Sequence, residues 1–169
     1  MTNNFFRLPV LISALALGLF VTSMNSSLAI DDKEALTGIK EGKIAFDIKE
    51  GEAKMLLNKL VVIDETRQSL IQQGVTPHFV LAFRGPSSKL IQTDLEKIKP
   101  ADRELAAKIA AKVEEMIHAP GVEGFEQCSL AARQQETKTD LVLPDIKVVG
   151  NGFISLMAYQ AKGYAYIAP

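Results

Sequence analysis

Residues 78–83 read HFVLAF, a run in which five of the six side chains are apolar. A short, continuous apolar run of this kind is typical of a strand that is buried on both faces, as in a parallel sheet covered by helices on each side. The run therefore predicts an α/β fold, in which the neighbouring segments alternate between helix and strand.

The chain before this strand is predicted to contain a strand, a helix and an N-terminal lead. Residues 43–48 (KIAFDI) combine β-branched and aromatic side chains, which favours a strand. Over residues 50–73, apolar residues recur at spacings of three and four, which predicts a helix with one apolar face that ends at Gly74. Residues 30–42 form the lead, and the domain occupies residues 43–169.

The chain after residues 78–83 continues the same alternation. The whole order predicts one α/β domain with a mostly parallel sheet of about five strands, covered by helices on both faces. The predicted elements are a loop at 84–88, a short helix at 89–94, a helix at 101–118, a strand at 122–127, a helix over 128–133, a strand at 146–149, a helix capped by Asn151 and ended by Gly163, and a strand at 164–167.

The overall composition limits the class of protein. The chain has 169 residues, a net charge of -1 and 23% charged residues, which is typical of a soluble globular domain. The balance of charge lacks the basic excess expected of a nucleic-acid-binding protein. A single cysteine excludes an intrachain disulfide, so this residue either packs, reacts or forms an intermolecular link.

The first 29 residues have the three parts of a secretory signal peptide. Arg7 provides the positive charge, residues 10–21 form an uncharged apolar run, and small residues at Ser27 and Ala29 fit a cleavage site after Ala29. The apolar run is short for a transmembrane helix, which needs roughly 20 apolar residues. We therefore expect a periplasmic protein that has no membrane segment after cleavage, and the alternative is an uncleaved N-terminal anchor.

Three predicted loops should meet at one edge of the sheet. In open parallel α/β sheets, ligands bind beyond the carboxyl ends of the strands, which is where the loops after residues 78–83, 122–127 and 146–149 lie. We therefore expect one catalytic residue, Cys128, and five substrate-binding residues at this edge: Arg84, Gly85, Ser129, Asn151 and Gly152.

Cys128 stands where a strand gives way to a helix. The unpaired N–H groups and the dipole at a helix N-terminus favour a thiolate. Arg84 or Arg133 would strengthen this effect if either side chain reaches the sulfur, whereas Glu126 would oppose it. The alternative is an inert, buried cysteine, because free cysteine is among the most buried residue types.

Other catalytic patterns are absent from the sequence. It contains no P-loop, HExxH or GxSxG motif, and the glycines around Asn151 lack the third glycine of a dinucleotide fingerprint. His78 and His118 are the only histidines, and neither is predicted to lie at the carboxyl edge. One cysteine and two separated histidines match no usual zinc spacing, so we expect no metal and no cofactor.

Three segments of the sequence resemble the DsrE/DsrF-like family. Residues 146–152 (IKVVGNG) lead into a helix and the ending QAKGYAYIAP at 160–169, which resembles the family's Gln-x-x-Gly-Tyr-x-Tyr-Ile-x-Pro finish. Residues 78–86 (HFVLAFRGP) resemble its second strand and Gly-containing loop, and 121–128 (GVEGFEQC) resemble its Gly-Val-x-x-x-x-x-Cys segment. Together the resemblance covers residues 43–169.

The resemblance implies a flavodoxin-like α/β sheet that assembles into homotrimers or hexamers. It also implies that Cys128 accepts sulfane sulfur as a persulfide and passes it to a partner protein. The leading hypothesis is thus an exported sulfur-handling protein with a sulfur donor and an acceptor protein. Two alternatives stay open: an oligomeric small-ligand-binding or scaffold module in which Cys128 is structural, and a redox thiol that forms an intermolecular disulfide.

Overall fold

A computed structural model describes residues 31–169 of the chain. The predicted signal peptide, residues 1–29, lies outside the described residues. Residues 32–169 form one compact unit. Within the described part, no helix is long and apolar enough to cross a bilayer.

The described chain alternates between strands and helices as the sequence predicts. Short 3-10 turns at Gly85–Lys89, Leu95–Lys97, Pro100–Asp102 and Thr139–Leu141 connect the longer elements. The strands and α-helices, in chain order, are β1 (Glu41–Ile48), α1 (Ala53–Gln72), β2 (Thr76–Phe83), α2 (Arg103–Ile117), β3 (Val122–Cys128), α3 (Ser129–Gln134), β4 (Ile146–Val149), α4 (Gly152–Ala161) and β5 (Ala165–Ile167).

The five strands form one sheet in the order β4-β3-β2-β1-β5, and every neighbouring pair is parallel. The apolar run 78–83 belongs to the central strand β2, so its burial on both faces is confirmed. The order differs from the 2-1-3-4-5 order of flavodoxin only in the strand outside β1, which here is the last strand of the chain. The predicted α/β fold with a parallel sheet of five strands is therefore confirmed.

The two faces of the sheet carry different helices. On one face, α1 and α2 pack on the large apolar core, which includes Phe46 and Phe79 in edge-to-face contact with ring centroids 5.1 Å apart. On the opposite face, α4 packs through Leu156 on Ala45 and Ala82. α1 connects β1 to β2 across one face of the sheet, and α4 connects β4 to β5 across the opposite face. The strand order therefore reverses between β1 and β5, which is the topological switch point.

Two predicted elements differ from the structure. The short helix at 89–94 is wrong: a 3-10 turn ends at Lys89, and Gln92 instead forms an antiparallel bridge with Val142. The first strand also starts two residues before the predicted 43–48, because β1 begins at Glu41. The lead is tied to the end of α1, since the Asp32 N–H donates to Gln73 Oε1 at 2.9 Å.

The glycine in the turn before β3 should be important for stability. Gly121 has φ +85°, and a Cβ there would lie 2.4 Å from Pro77 Cγ and 2.8 Å from the Pro77 carbonyl oxygen. Gly163 has a similar φ of +86°, but no atom lies within 4 Å of its Cβ position. Gly163→Ala should cost about 1–2 kcal/mol of unfolding free energy through φ alone, and Gly121→Ala should cost clearly more. Urea unfolding of both variants checks this, and equal losses would contradict the close approach to Pro77.

Candidate functional site

Three of the predicted residues come into contact at the carboxyl edge of the sheet. Arg84 follows β2, Cys128 ends β3 and Gly152 is the first residue of α4. The Gly152 N–H donates to Cys128 Sγ over 3.2 Å, and this contact is buried. The structure therefore brings Cys128 to the N-terminus of α4, a ten-residue helix, in addition to its position just before the shorter α3.

The absence of a side chain at Gly152 makes this contact geometrically feasible. A Cβ at Gly152 would lie 2.4 Å from Arg84 Cδ and 3.2 Å from Cys128 Cβ. The aliphatic part of Arg84 and the cysteine side chain therefore lie beside each other against the same backbone atom. Glycine at this position lets the backbone approach both side chains at once.

Arg84 is held in place by a buried carboxylate. Its Nε donates to Asp47 Oδ1 at 2.7 Å, and its Nη2 donates to Asp47 Oδ2. Tyr166 in β5 donates from Oη to the same Asp47 Oδ2 at 2.6 Å. Asp47 is 1% exposed. Through these hydrogen bonds, three polar side chains from β1, β5 and the end of β2 converge beside the switch point.

The charges in this cluster support one another. Burial disfavours the carboxylate of Asp47, but the hydrogen bonds from Arg84 and Tyr166 outweigh it, so its pKa lies below the ordinary value. The hydrogen bond to Asp47 raises the pKa of Arg84, and the bond to the same carboxylate raises the pKa of Tyr166. The cluster is therefore a fixed ion pair, and Arg84 remains cationic next to the thiol.

The sulfur is enclosed. Cys128 is 5% exposed, and the first turn of α4 lies against it through Gly152. The next residue, Phe153, places its ring 4.2 Å from the guanidinium carbon of Arg84 while 68% of the residue remains exposed. A reagent therefore has little access to Cys128 while this first turn of α4 is in place.

The other predicted substrate-binding residues shape the surrounding loops. Asn151 caps α4, since its side-chain oxygen accepts the Phe153 N–H at 3.0 Å. Ser129 donates from Oγ to the Gly150 carbonyl at 2.8 Å, which fixes the loop before α4. Gly85 has φ +56° and its Cβ position faces Lys49 at 3.9 Å, so the structure does not bring it to Cys128.

Glu126 points to the same face of β3 as Cys128, but its carboxylate is engaged by α4. Ser155 donates to its Oε2, and Tyr159 donates from Oη to its Oε1 at 3.0 Å. Burial and the neighbouring Glu126 carboxylate raise the pKa of Tyr159 to about 12, so this hydroxyl stays a donor. Glu126 therefore anchors α4 over the sheet.

A buried polar side chain, Gln127, lies on the other face of β3 from Cys128. Gln127, whose side chain is fully buried, donates from Nε2 to Ser88 Oγ and to the Cys128 carbonyl, each at 2.9 Å. Its Oε1 is buried and has no hydrogen-bond partner among the described residues. Gln127 therefore fixes the backbone of Cys128 to the 3-10 turn that follows Arg84.

The two histidines lie elsewhere, as the sequence predicts. His78 contacts Glu123 at 2.7 Å through Nδ1, near the start of β2, and His118 ends α2 with Nε2 3.6 Å from Asp145. In residues 31–169, no three His, Cys, Asp or Glu side chains group together to hold a metal ion.

The sequence analysis identified neither Asp47 nor Tyr166 as a residue of the site. A signal for Asp47 exists, because a carboxylate between Phe46 and Ile48 at the carboxyl end of a strand stands where ligands bind in α/β sheets. No signal in the sequence pairs Asp47 with Tyr166, which lies 119 residues later.

Gly152→Ala tests the close packing around the sulfur. The added Cβ would overlap Arg84 Cδ, and Arg84 is held by Asp47, so the first turn of α4 should shift away from Cys128. We expect a loss of about 1–3 kcal/mol of stability and faster alkylation of Cys128 by iodoacetamide in the folded protein.

Gly150→Ala is the matched control for this variant, because no atom lies within 4 Å of its Cβ position. Cys128 in this variant should be alkylated at the wild-type rate. Equal alkylation rates for Gly152→Ala and the wild type would contradict the enclosure of the sulfur by α4.

Asp47→Asn tests the ion pair. Removing one partner leaves the Arg84 charge buried and unpaired, which should cost about 3–5 kcal/mol at pH 7. Because the pKa of Asp47 is lowered by folding, its contribution is complete above about pH 4 and is lost as the pH falls through the folded-state pKa.

The difference in unfolding free energy between wild type and Asp47→Asn should therefore narrow on acidification, as measured by urea unfolding at several pH values. Glu104→Gln, which removes an exposed ion pair with Lys108, serves as the control and should leave the unfolding free energy nearly unchanged. A difference that is the same at every pH would contradict a charged Asp47.

Comparisons with known proteins support the fold. No protein-family model matches the chain. An uncharacterized protein of Aquifex aeolicus (strain VF5) is 25% identical over 125 residues, which are 74% of this chain, and the chain spans 55% of that protein's length. A solved structure of a protein of unknown function from Methanobacterium thermoautotrophicum has a TM-score of 0.57 at 20% identity, covering 77% of this chain and 99% of that one. The second likeness shows that this α/β architecture is shared.

Proposed function

We propose that the protein handles sulfur, with Cys128 accepting sulfane sulfur as a persulfide and passing it to an acceptor protein. The observation that carries the proposal is the hydrogen bond of 3.2 Å from the Gly152 N–H to Cys128 Sγ. An N–H at the start of α4 stabilises negative charge on sulfur. Arg84, fixed beside it, adds a permanent positive charge.

The chemical step is an exchange at sulfur. The Cys128 thiolate attacks the outer sulfur of a donor such as thiosulfate, the new S–S bond forms, and the donor's S–S bond breaks. Sulfite leaves with the electron pair of that bond, and Cys128 carries a persulfide anion. A thiolate of the acceptor protein then takes the outer sulfur by the same exchange and returns Cys128 to the thiolate.

Delivery of sulfur requires the first turn of α4 to open. The side chain of Cys128 has little room for a second sulfur while the Gly152 N–H is bonded to its Sγ and the residue is 5% exposed. Phe153 and Ile154 in this turn are 68% and 61% exposed, so little packing on the described chain holds the turn closed. In this proposal, contact with donor or acceptor displaces the turn.

The exported, oligomeric form of the protein is part of the same proposal. The resemblance to DsrE/DsrF-like proteins and the signal-peptide pattern of residues 1–29 support a periplasmic member of that family. Exposed apolar residues on α4 and the edge strand β5 support self-association, for which the resemblance implies a homotrimer or hexamer, and a monomer in light scattering would overturn this assembly. They are Phe153, Ile154, Met157, Tyr166 and Ile167.

A second candidate function follows from the burial of Cys128. With 5% exposure, the thiol fits a structural residue in an oligomeric ligand-binding or scaffold module. The two candidates differ in one property, which is whether the folded protein forms a covalent adduct at Cys128.

Intact-mass analysis after incubation with polysulfide or thiosulfate distinguishes the candidates. We expect an added mass of about 32 Da, one sulfur atom, on the wild type and none on Cys128→Ser. The adduct should disappear on treatment with dithiothreitol, because a persulfide is reduced by thiol exchange.

Arg84→Met is the companion variant, since it keeps an extended apolar side chain over Gly152 but removes the charge. It should form the adduct more slowly than the wild type. A folded wild-type protein that stays unmodified by both donors would overturn the sulfur-handling proposal and favour the structural role.

A further inference from the structure

A cavity of about 510 Å³ lies beside α2, apart from the site at Cys128. It is bounded by α2, by the segment after the 3-10 turn at Gly85–Lys89, and by the chain that leads into β4. Its lining residues that carry the argument are Gln92, Ala110, Ala111, Glu114, Leu143 and Asp145. The volume is within the range of roughly 300–1,000 Å³ that is usual for small-molecule sites.

The walls of this cavity are mostly apolar. Small side chains on α2, including Ala110 and Ala111, leave space opposite the buried Leu143. The antiparallel bridge between Gln92 and Val142 and the hydrogen bond from the Leu143 N–H to the Ile91 carbonyl hold the opposite wall. The space is therefore kept open by defined backbone contacts.

Gln92 supplies a polar group in this apolar lining. It is 4% exposed, and its Nε2 donates to the Ser88 carbonyl at 2.9 Å, which fixes the amide. Its Oε1 accepts no hydrogen bond from the described residues. Because this amide oxygen belongs to a side chain that lines the cavity, it can accept a hydrogen bond from a donor there.

The charged lining residues are acidic. Glu114 and Asp145 are both exposed at the cavity, and no lysine or arginine is present among the lining residues of the part of the chain that the structure describes. His118 lies 3.6 Å from Asp145 and is the sole basic side chain of the lining. The combination of apolar walls, a free acceptor and two carboxylates fits a ligand with an apolar body and a cationic, hydrogen-bond-donating end.

We propose that this cavity binds a small organic amine in its protonated form. The apolar body occupies the space along Ala110, Ala111 and Leu143, and the ammonium group donates to the acidic and amide oxygens. This inference is independent of the chemistry at Cys128, because none of the residues that line the cavity contacts the sulfur.

The test uses phenylbutylamine and phenylbutyrate, which share one apolar body and differ in the charge of the end group. Binding to the full chain is followed by chemical-shift changes of backbone amides on titration. We expect phenylbutylamine to shift amides of α2, of residues 91–95 and of Leu143 and Asp145, and to bind about tenfold or more tightly than phenylbutyrate.

Three variants locate the binding. Ala111→Phe should fill the space and abolish the amide shifts. Glu114→Gln should weaken the affinity for phenylbutylamine about tenfold and leave the affinity for phenylbutyrate unchanged. Glu115→Gln is the matched control, because Glu115 is the next residue on α2 but does not line the cavity. It should bind the amine as the wild type does.

Equal binding of amine and carboxylate would overturn the cationic ligand class. Amide shifts that persist in a folded Ala111→Phe variant, or equal effects of the two glutamate variants, would overturn the location. If Ala111→Phe fails to fold, the glutamate pair alone decides between these results. Absence of any shift at millimolar amine would overturn the proposal as a whole.

Discussion

The ion pair between Asp47 and Arg84 determines the geometry of the carboxyl edge. It joins the ends of two neighbouring strands, β1 and β2, and Tyr166 extends it to the third strand, β5. Such a buried pair adds little net stability compared with apolar packing, but the loss of one partner is costly. Its effect here is to fix one cationic side chain where a thiol ends the adjacent strand.

The position of α4 follows from that pair. Beside the fixed side chain of Arg84 there is space for the backbone of α4 only where a residue has no Cβ, and Gly152 lies at this position. Glu126 holds the middle of the same helix through Tyr159. The N–H that meets Cys128 is thus positioned by the close approach of Gly152 to Arg84 and by the hydrogen bond that anchors the middle of α4.

The sequence predicts the fold well because its signals are local. The apolar run at 78–83 and the Asn151 cap each depend on neighbouring residues, and both are confirmed. Topology also brings Arg84, Cys128 and Gly152 to one edge, as predicted. The helix at 89–94 is wrong because its residues instead meet a distant segment, through the bridge from Gln92 to Val142.

The site is only partly predictable for a similar reason. Local reasoning assigns stabilisation of the thiol to the helix that follows Cys128, whereas the N–H that contacts the sulfur belongs to Gly152, 24 residues later. The pairing of Asp47 with Arg84 spans 37 residues and leaves no periodic pattern in the sequence. Burial of the sulfur likewise depends on where α4 packs, which no single segment determines.

The central claim is that the enclosed thiol of Cys128 accepts sulfur, and a crystal structure of the protein after exposure to polysulfide tests it most directly. The account predicts a second sulfur bonded to Cys128 Sγ, the Gly152 N–H no longer within hydrogen-bond distance of Sγ, and the first turn of α4 displaced. An unmodified sulfur still bonded to the Gly152 N–H would contradict it.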